Sequence, residues 1–304
     1  MDAARASITA LGASLMRAVH TRLDRPALID DPWGDRLVTD ADRETMVRLG
    51  LGLLDAPARE RLEGLGSLDD MVAALTRSHP NYGTIVIRTR YAEDLLASAV
   101  ADGTRQYVIV GAGMDSFGLR RPSFAREVAV FEVDHPATQE LKLKRLGECA
   151  VVLPEHLHFV AADLSVEGLD AALDRSAFNP GQAAFFSWLG VTQYLTREAN
   201  LRTLRAIALC SAPGSELVFT YVEQRELDRL ESGDVQRFQA TGAALGEQWI
   251  SGFEPSQLGH DLASVGMRLV EDLGPEDQRE RYCADRDDGL SPSTAMHIAR
   301  AQRA

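Results

Sequence analysis

The sequence predicts an α/β fold, an open, doubly wound and mostly parallel sheet of seven strands with helices on its faces. Three observations carry that expectation. From about residue 107 onward, short apolar runs alternate with helix-prone stretches, a pattern that implies parallel strands joined by helical crossovers. The first run, Val108-Ile-Val, enters the turn Gly111-Ala-Gly113. The second and third runs both end in an acid, Asp134 and Asp163. Sheets of this kind bind ligands beyond the carboxyl ends of their strands, where the strand order reverses.

Residues 1–90 read as short helical pieces broken by turn signals such as Arg25-Pro26 and Asp31-Pro32-Trp33-Gly34. They form a helical N-terminal lid region whose one strand-like run is Thr84–Ile87. In RTRYAEDLLASAVADG (88–103), apolar residues at 92, 95, 96, 99 and 100 make one stripe of an amphipathic helix. Asp102-Gly103 supplies its stop. The expected strands are Tyr107–Val110, Val128–Val133, Leu157–Ala161, Ala183–Trp188, Glu216–Val222, Met267–Asp272 and Thr294–Ala299. Helices are expected at Pro136–Leu146 and Thr196–Cys210. The stretch 223–252 is too long for a plain connection and is charged and helix-prone. It reads as a solvated hairpin or as a helical insertion capping the substrate, before the last two strands. Residues 91–304 thus form the ligand-binding domain.

With 304 residues, 45% of them hydrophobic, the chain can bury one sizeable core. The formal net charge of −13 repels phosphate backbones and anionic lipid, which argues against nucleic-acid and membrane partners. Cys149, Cys210 and Cys283 are odd in number and far apart, which points to reduced thiols in a cytoplasm. The N-terminus lacks a signal-type apolar core, and no window holds 18 uninterrupted apolar residues.

The glycine turn alone leaves the cofactor open. A dinucleotide fingerprint needs a third glycine, and that position is Ser116. Asp134 lies 21 residues beyond Gly113, where an acid can accept both ribose hydroxyls; its alternative is a cap ahead of His135-Pro136. Asp163 can accept from an adenine amino group while the N–H of Leu164 donates to a ring nitrogen; its alternative is a cap of the next turn.

The sequence resembles the S-adenosylmethionine-dependent methyltransferases of the leucine carboxyl methyltransferase type, in particular the actinobacterial branch acting on small-molecule oxygens. The matching residues are RTRY (88–91), VGAGMDS (110–116), FEVDHP (131–136), ADL (162–164), GVTQYL (190–195) and RYCADRDDG (281–289). The similarity runs from about Ala27 to the C-terminus. It implies a class I methyltransferase fold with a Rossmann-like sheet and S-adenosyl-L-methionine as cofactor. Arg88 is implied to hold the methionine carboxylate, Gly111 and Gly113 to pass the amino-acid part, Asp134 to bind the ribose, and Asp163 with Leu164 the adenine. The alternative for Arg88 is an ordinary surface ion pair with Asp94 or a neighbour. One position departs: the family usually has a Glu-Gly-Val run whose Glu contacts the cofactor's amino group, and here the run is Leu189-Gly190-Val191. An apolar side chain cannot accept from an ammonium, so backbone carbonyls near Gly111 or water would have to, with weaker binding or an altered reaction as consequences.

Methyl transfer from a sulfonium needs alignment and desolvation more than acid–base chemistry. A carboxylate acceptor needs no base, whereas a hydroxyl profits from one. His135 reads as a turn residue before Pro136. His156 and His158 lack zinc-type spacing, so no metal is expected. Tyr91 and Tyr194 are candidates for the acceptor pocket or for plain core. No Gly-x-Ser-x-Gly elbow exists. The leading expectation is transfer of a methyl group to a carboxyl or hydroxyl oxygen of a small metabolite, of polyketide type or similar secondary metabolism. The alternatives are a non-catalytic or altered-activity cofactor-binding protein, for which Leu189 argues, and a nicotinamide-dependent dehydrogenase, which would want a third glycine and a catalytic Tyr-Lys or His pair.

Overall fold

The computed structural model describes residues 8–230 and 249–304. Most of the expected cap insertion, 231–248, lies outside the described residues. A helix at Gln224–Leu230 precedes it.

The sheet has seven strands: β1 (Gln106–Val110), β2 (Ala129–Asp134), β3 (Leu157–Ala161), β4 (Ala184–Trp188), β5 (Glu216–Val222), β6 (Met267–Leu273) and β7 (Met296–Arg303). Their order is β3-β2-β1-β4-β5-β7-β6. β1 to β5 run parallel, and β7 inserts antiparallel between β5 and β6. β1 is wholly buried, as are β4 and nearly all of β5. These central strands are covered on both faces, which is why they read as continuous apolar runs and not as alternating ones. One core cluster gathers Val108, Phe131, Phe186, Trp188 and Phe219; the other face packs Ile109, Phe117, Phe185 and Val218 against the helix Tyr82–Ala101.

Two expected elements change. Thr84–Ile87 is not a strand but the first turns of the helix Tyr82–Ala101, and Ile85, Val86 and Ile87 are all buried there. Ile85 and Val86 face the N-terminal region while Ile87 faces the sheet. A helix clamped between two layers is apolar all round, so burial overrides the β-propensity of branched residues. The same helix runs unbroken through residue 90, the expected domain boundary. The stripe of Ala92, Leu96 and Ala99 is buried as expected, and Gly103 takes the left-handed conformation (φ +106°) at the stop. The last strand sits later than Thr294–Ala299. Its second half is polar, but Arg300 makes a two-pronged contact with Glu216 of β5 at 2.8 and 2.9 Å, which keeps a charged residue in the ladder.

The order reverses between β1 and β4: β2 and β3 lie to one side of β1, β4 and β5 to the other. The carboxyl ends of β1 and β4 therefore flank the switch point. The N-terminal helix Ile8–Leu23 lies across these ends.

Candidate functional site

A cleft opens at the switch point. It is lined by the β1 turn (Val110 to Asp115), the end of β2 (Asp134, His135), the residues after β3 (Ala162 to Ser165), the end of β4 (Ser187, Leu189 to Val191), and Tyr194 with Leu195. Helices contribute Thr9, Ala10, Ala13 and Arg17 from one side and Arg88 with Thr89 from another. The glycines are demanded by this geometry. Gly111 has φ +69°, its N–H donates to the carbonyl of Val133 at 2.8 Å, and a Cβ there would run into Val191. Gly190 has φ +75°, and a Cβ on it would come within 2.5 Å of Arg88 Nη1.

Arg88 points into the cleft and makes no hydrogen bond or ion pair with any described residue. Burial and the neighbouring Arg17 push its pKa down to about 10, so it remains charged at neutral pH. The expected alternative, pairing with Asp94, belongs to Arg90, whose Nε lies 2.8 Å from that carboxylate. A charged guanidinium in a cleft can receive an anion.

The far end is acidic. One oxygen of Asp134 accepts from the N–H of Gly113 and the other from the N–H of His135 at 2.6 Å. Burial raises its pKa against those two donors. Each oxygen keeps a second lone pair. Asp163 Oδ1 accepts from the N–H of Ser165 at 2.9 Å and from its hydroxyl at 2.6 Å, so the turn-capping alternative holds for this oxygen. Burial acts upward, yet these bonds and nearby His135 hold the carboxyl below the ordinary range. Asp163 Oδ2 faces His135 Nε2 at 3.7 Å. His135 Nδ1 accepts from the N–H of Ala137, a cap on the helix Pro136–Glu148, as its place before Pro136 suggested.

The family model for leucine carboxyl methyltransferase matches residues 10–208. The chain belongs to the leucine carboxyl methyltransferase family. A Bacillus subtilis (strain 168) protein named as an S-adenosyl-L-methionine-dependent methyltransferase, YktD, is 32% identical over 297 residues, 97% of each chain. A Mycolicibacterium smegmatis protein named in the same way is 36% identical over 219 residues, 72% of this chain and 68% of its own. A solved structure of a Streptomyces avermitilis DUF574-family protein has the same fold, with TM-score 0.54 at 17% identity over 85% of this chain and 97% of its own. This chain is thus an S-adenosylmethionine-dependent methyltransferase of the class I fold.

In this methyltransferase, Arg88, Gly111, Gly113, Asp134, Asp163 and Leu164 converge on one cleft, with Tyr194 and Leu189 on its wall. Tyr91 does not join them, which corrects its place as a pocket candidate. It is buried in the second core layer, and its hydroxyl donates to Glu271 of β6 at 2.6 Å. The physical reason is packing: its ring fills the core layer between the helix Tyr82–Ala101 and the sheet, where Glu271 gives its hydroxyl an acceptor. Among the described residues no group of three His, Cys, Asp or Glu side chains could hold a metal ion. No described helix is long and apolar enough to cross a membrane.

Three site residues escaped the sequence reading. Arg17 pairs with buried Asp31 at 2.7 Å and donates to the carbonyl of Met114, in the glycine turn, at 2.6 Å. Its signal was available: it is the one Lys or Arg between Ile8 and Thr21, on an otherwise buried helix face. Lys142 pairs with Glu132 of β2 and donates to the carbonyl of Asp115 at 2.6 Å, so both ends of the glycine turn are tied down by cations. Burial lifts the Glu132 carboxyl to about 7, against the pull of Lys142. Asp115 itself lines the cleft. Nothing local distinguishes Lys142 from a surface charge, and Asp115, although it stands within VGAGMDS, carries no role in the sequence pattern.

Proposed function

We propose that this methyltransferase transfers a methyl group to an oxygen of a small metabolite, a carboxyl oxygen first and a hydroxyl oxygen second. The observation that carries the cofactor's placement is a single cleft with the unpaired Arg88 guanidinium at one end and the Asp134 and Asp163 carboxylates at the other. An amino acid joined to a nucleoside needs those two ends. The residues fit the group: Gly190 leaves room only for Arg88, and the Asp134 oxygens each keep an open lone pair.

S-adenosylmethionine, when bound, supplies an electrophilic methyl carbon open to in-line attack. Arg88 binds the α-carboxylate. Asp134 accepts from the ribose hydroxyls. Asp163 Oδ2 and the Leu164 N–H frame the adenine edge. Leu189, Val191, Tyr194 and Leu195 form an apolar wall that excludes water and positions the acceptor. The helix Ile8–Leu23 acts as a lid: Ala10 lies so close to Gly113 that a Cβ there would sit 3.0 Å from the Ala10 methyl. A carboxylate acceptor is already ionised at neutral pH and needs no base. The family description names a carboxyl acceptor, which supports that choice. All three cysteines are free thiols, which supports a reducing, cytoplasmic setting.

A second reading, a protein that holds the cofactor without transferring from it, draws on Leu189. Calorimetry with S-adenosylmethionine and with NAD, followed by transfer of isotopically labelled methyl to a panel of carboxylic acids, phenols and alcohols, decides. Tight S-adenosylmethionine binding with labelled methyl esters supports the proposal. Labelled ethers from hydroxyl acceptors alone would move the acceptor class to hydroxyls. Binding without any labelled product would favour the second reading.

A further inference from the structure

We infer that Asp115 is the carboxylate that receives the α-ammonium of S-adenosylmethionine in this chain. The inference rests on the cofactor placement proposed above and deepens it.

The argument begins with the ligand's own geometry. In an α-amino acid the ammonium is two bonds from the carboxyl carbon. If Arg88 holds the carboxylate, the ammonium lies within a few ångströms of the Arg88 guanidinium, and a cation leaving water there requires an acceptor of negative charge. Leu189, on the β4 side, offers none. The cleft is lined by three carboxylates among the described residues: Asp115, Asp134 and Asp163. Asp134 holds the Gly113 and His135 N–H groups with its two oxygens, and Asp163 is folded into its own Ser165 turn. Both lie at the nucleoside end.

Asp115 is placed differently. It follows the glycine turn directly, and its backbone carbonyl is held by Lys142 at 2.6 Å. Its Oδ1 accepts from the N–H of Phe117 at 2.7 Å, which fixes the side chain. Its Oδ2 has no hydrogen-bond partner among the described residues, yet the residue is only half-buried and lines the cleft. An oxygen that is neither bonded nor sealed in a core faces the open space. Arg88 feels the field of Asp115, and both residues line the cleft. Asp115 and Arg88 together form a zwitterion clamp, a carboxylate and a guanidinium for an ammonium and a carboxylate. This arrangement supplies the negative charge that Leu189 does not.

The bland alternative is that Asp115 only caps the short helix that begins at Phe117. The test separates the two because Asn keeps the capping oxygen and loses the charge. Binding to the full chain is measured by calorimetry with three probes: S-adenosylhomocysteine, its analogue lacking the α-amino group, and methylthioadenosine, which lacks the amino-acid part. The expected result is that Asp115→Asn weakens S-adenosylhomocysteine tenfold or more while leaving the other two unchanged, and that Leu189→Glu added to Asp115→Asn restores part of the loss. Equal weakening of all three probes, with a lowered melting temperature, would overturn the inference in favour of the capping role. Unchanged affinity for S-adenosylhomocysteine would also overturn it. Arg88→Met distinguishes the levels of failure: if it selectively weakens S-adenosylhomocysteine while Asp115→Asn does not, the cofactor placement stands and the ammonium partner is wrong. If neither variant discriminates among the probes, the placement itself fails.

Discussion

A single side chain in this cleft carries two opposite pH dependences. In the proposed cofactor placement Asp134 accepts from the ribose hydroxyls in its ionised form, so cofactor affinity should be full above its pKa and fall as pH drops through it. Burial raises that pKa above its ordinary 3.8, so the decline in affinity should begin at a higher pH than for an exposed aspartate. For stability the sign is reversed. A folded pKa raised above the unfolded one contributes stability that is fully present below the unfolded value and is lost as pH rises through the folded value. Acidification should therefore weaken S-adenosylhomocysteine binding while this group favours the ligand-free fold. Calorimetry and urea unfolding across the same pH series measure both, and Asp134→Asn should flatten the acid limb of the binding curve. At neutral pH, Asp134→Ala should weaken the cofactor by about 1–3 kcal/mol, the scale for leaving buried donors unpaired; unchanged calorimetric affinity would remove Asp134 from the ribose.

Elements rather than residues decide how the site is held. The helix Ile8–Leu23 is anchored through Arg17, which joins Asp31 on the following loop to the carbonyl of Met114 in the glycine turn. Arg120 also lies near Asp31, at 3.9 Å, and pairs with Glu93 of the helix Tyr82–Ala101. Breaking one partner of a buried pair leaves an uncompensated charge, so Arg17→Met should cost roughly 3 kcal/mol in urea unfolding and loosen cofactor binding as the turn is released. Retained stability would show that Arg120 alone satisfies Asp31. The helix Tyr82–Ala101 does two jobs on two faces. Tyr91→Phe should cost about 1–2 kcal/mol by removing the bond to Glu271 but leave S-adenosylhomocysteine affinity unchanged, because Tyr91 lies in the core layer and not in the cleft. A selective affinity loss in that variant would return Tyr91 to the pocket.

At the scale of the whole molecule, the cleft joins the N-terminal region, the β1 turn and the end of β4, so ligand binding should stabilise the fold as one unit. At a free concentration one hundred times the dissociation constant, a ligand bound only by the folded state adds about 2.7 kcal/mol. S-adenosylhomocysteine should raise the melting temperature in proportion to the logarithm of its concentration, and NAD should not. An equal rise with NAD would point to a plain nucleotide site. The acidic balance of −13 leaves Arg17 and Arg88 as cations inside a negative envelope, so affinity for a zwitterionic amino-acid group should depend little on salt.

The sequence by itself determined the sheet and the strand ends. Short apolar runs that alternate with helical stretches and end in turn residues or acids mark buried parallel strands, so β1 to β5 and the candidates Gly111, Gly113, Asp134 and Asp163 were legible from local pattern, with capping roles open beside the two acids. Arg88 and the departure at Leu189 were reached through the family resemblance. Only the tertiary structure decided what depends on neighbours distant in the chain. Thr84–Ile87 became helical because two layers bury it from opposite sides, and Tyr91 left the pocket because its ring is buried in the core layer and its hydroxyl is held by Glu271 of β6. Arg17, Lys142 and Asp115 acquired meaning only when the N-terminal helix and the helix Pro136–Glu148 closed on the glycine turn. Local pattern records how a segment buries itself, whereas a charge in a cleft is specified by groups 97 residues away, as between Arg17 and Met114, and no periodicity carries that information.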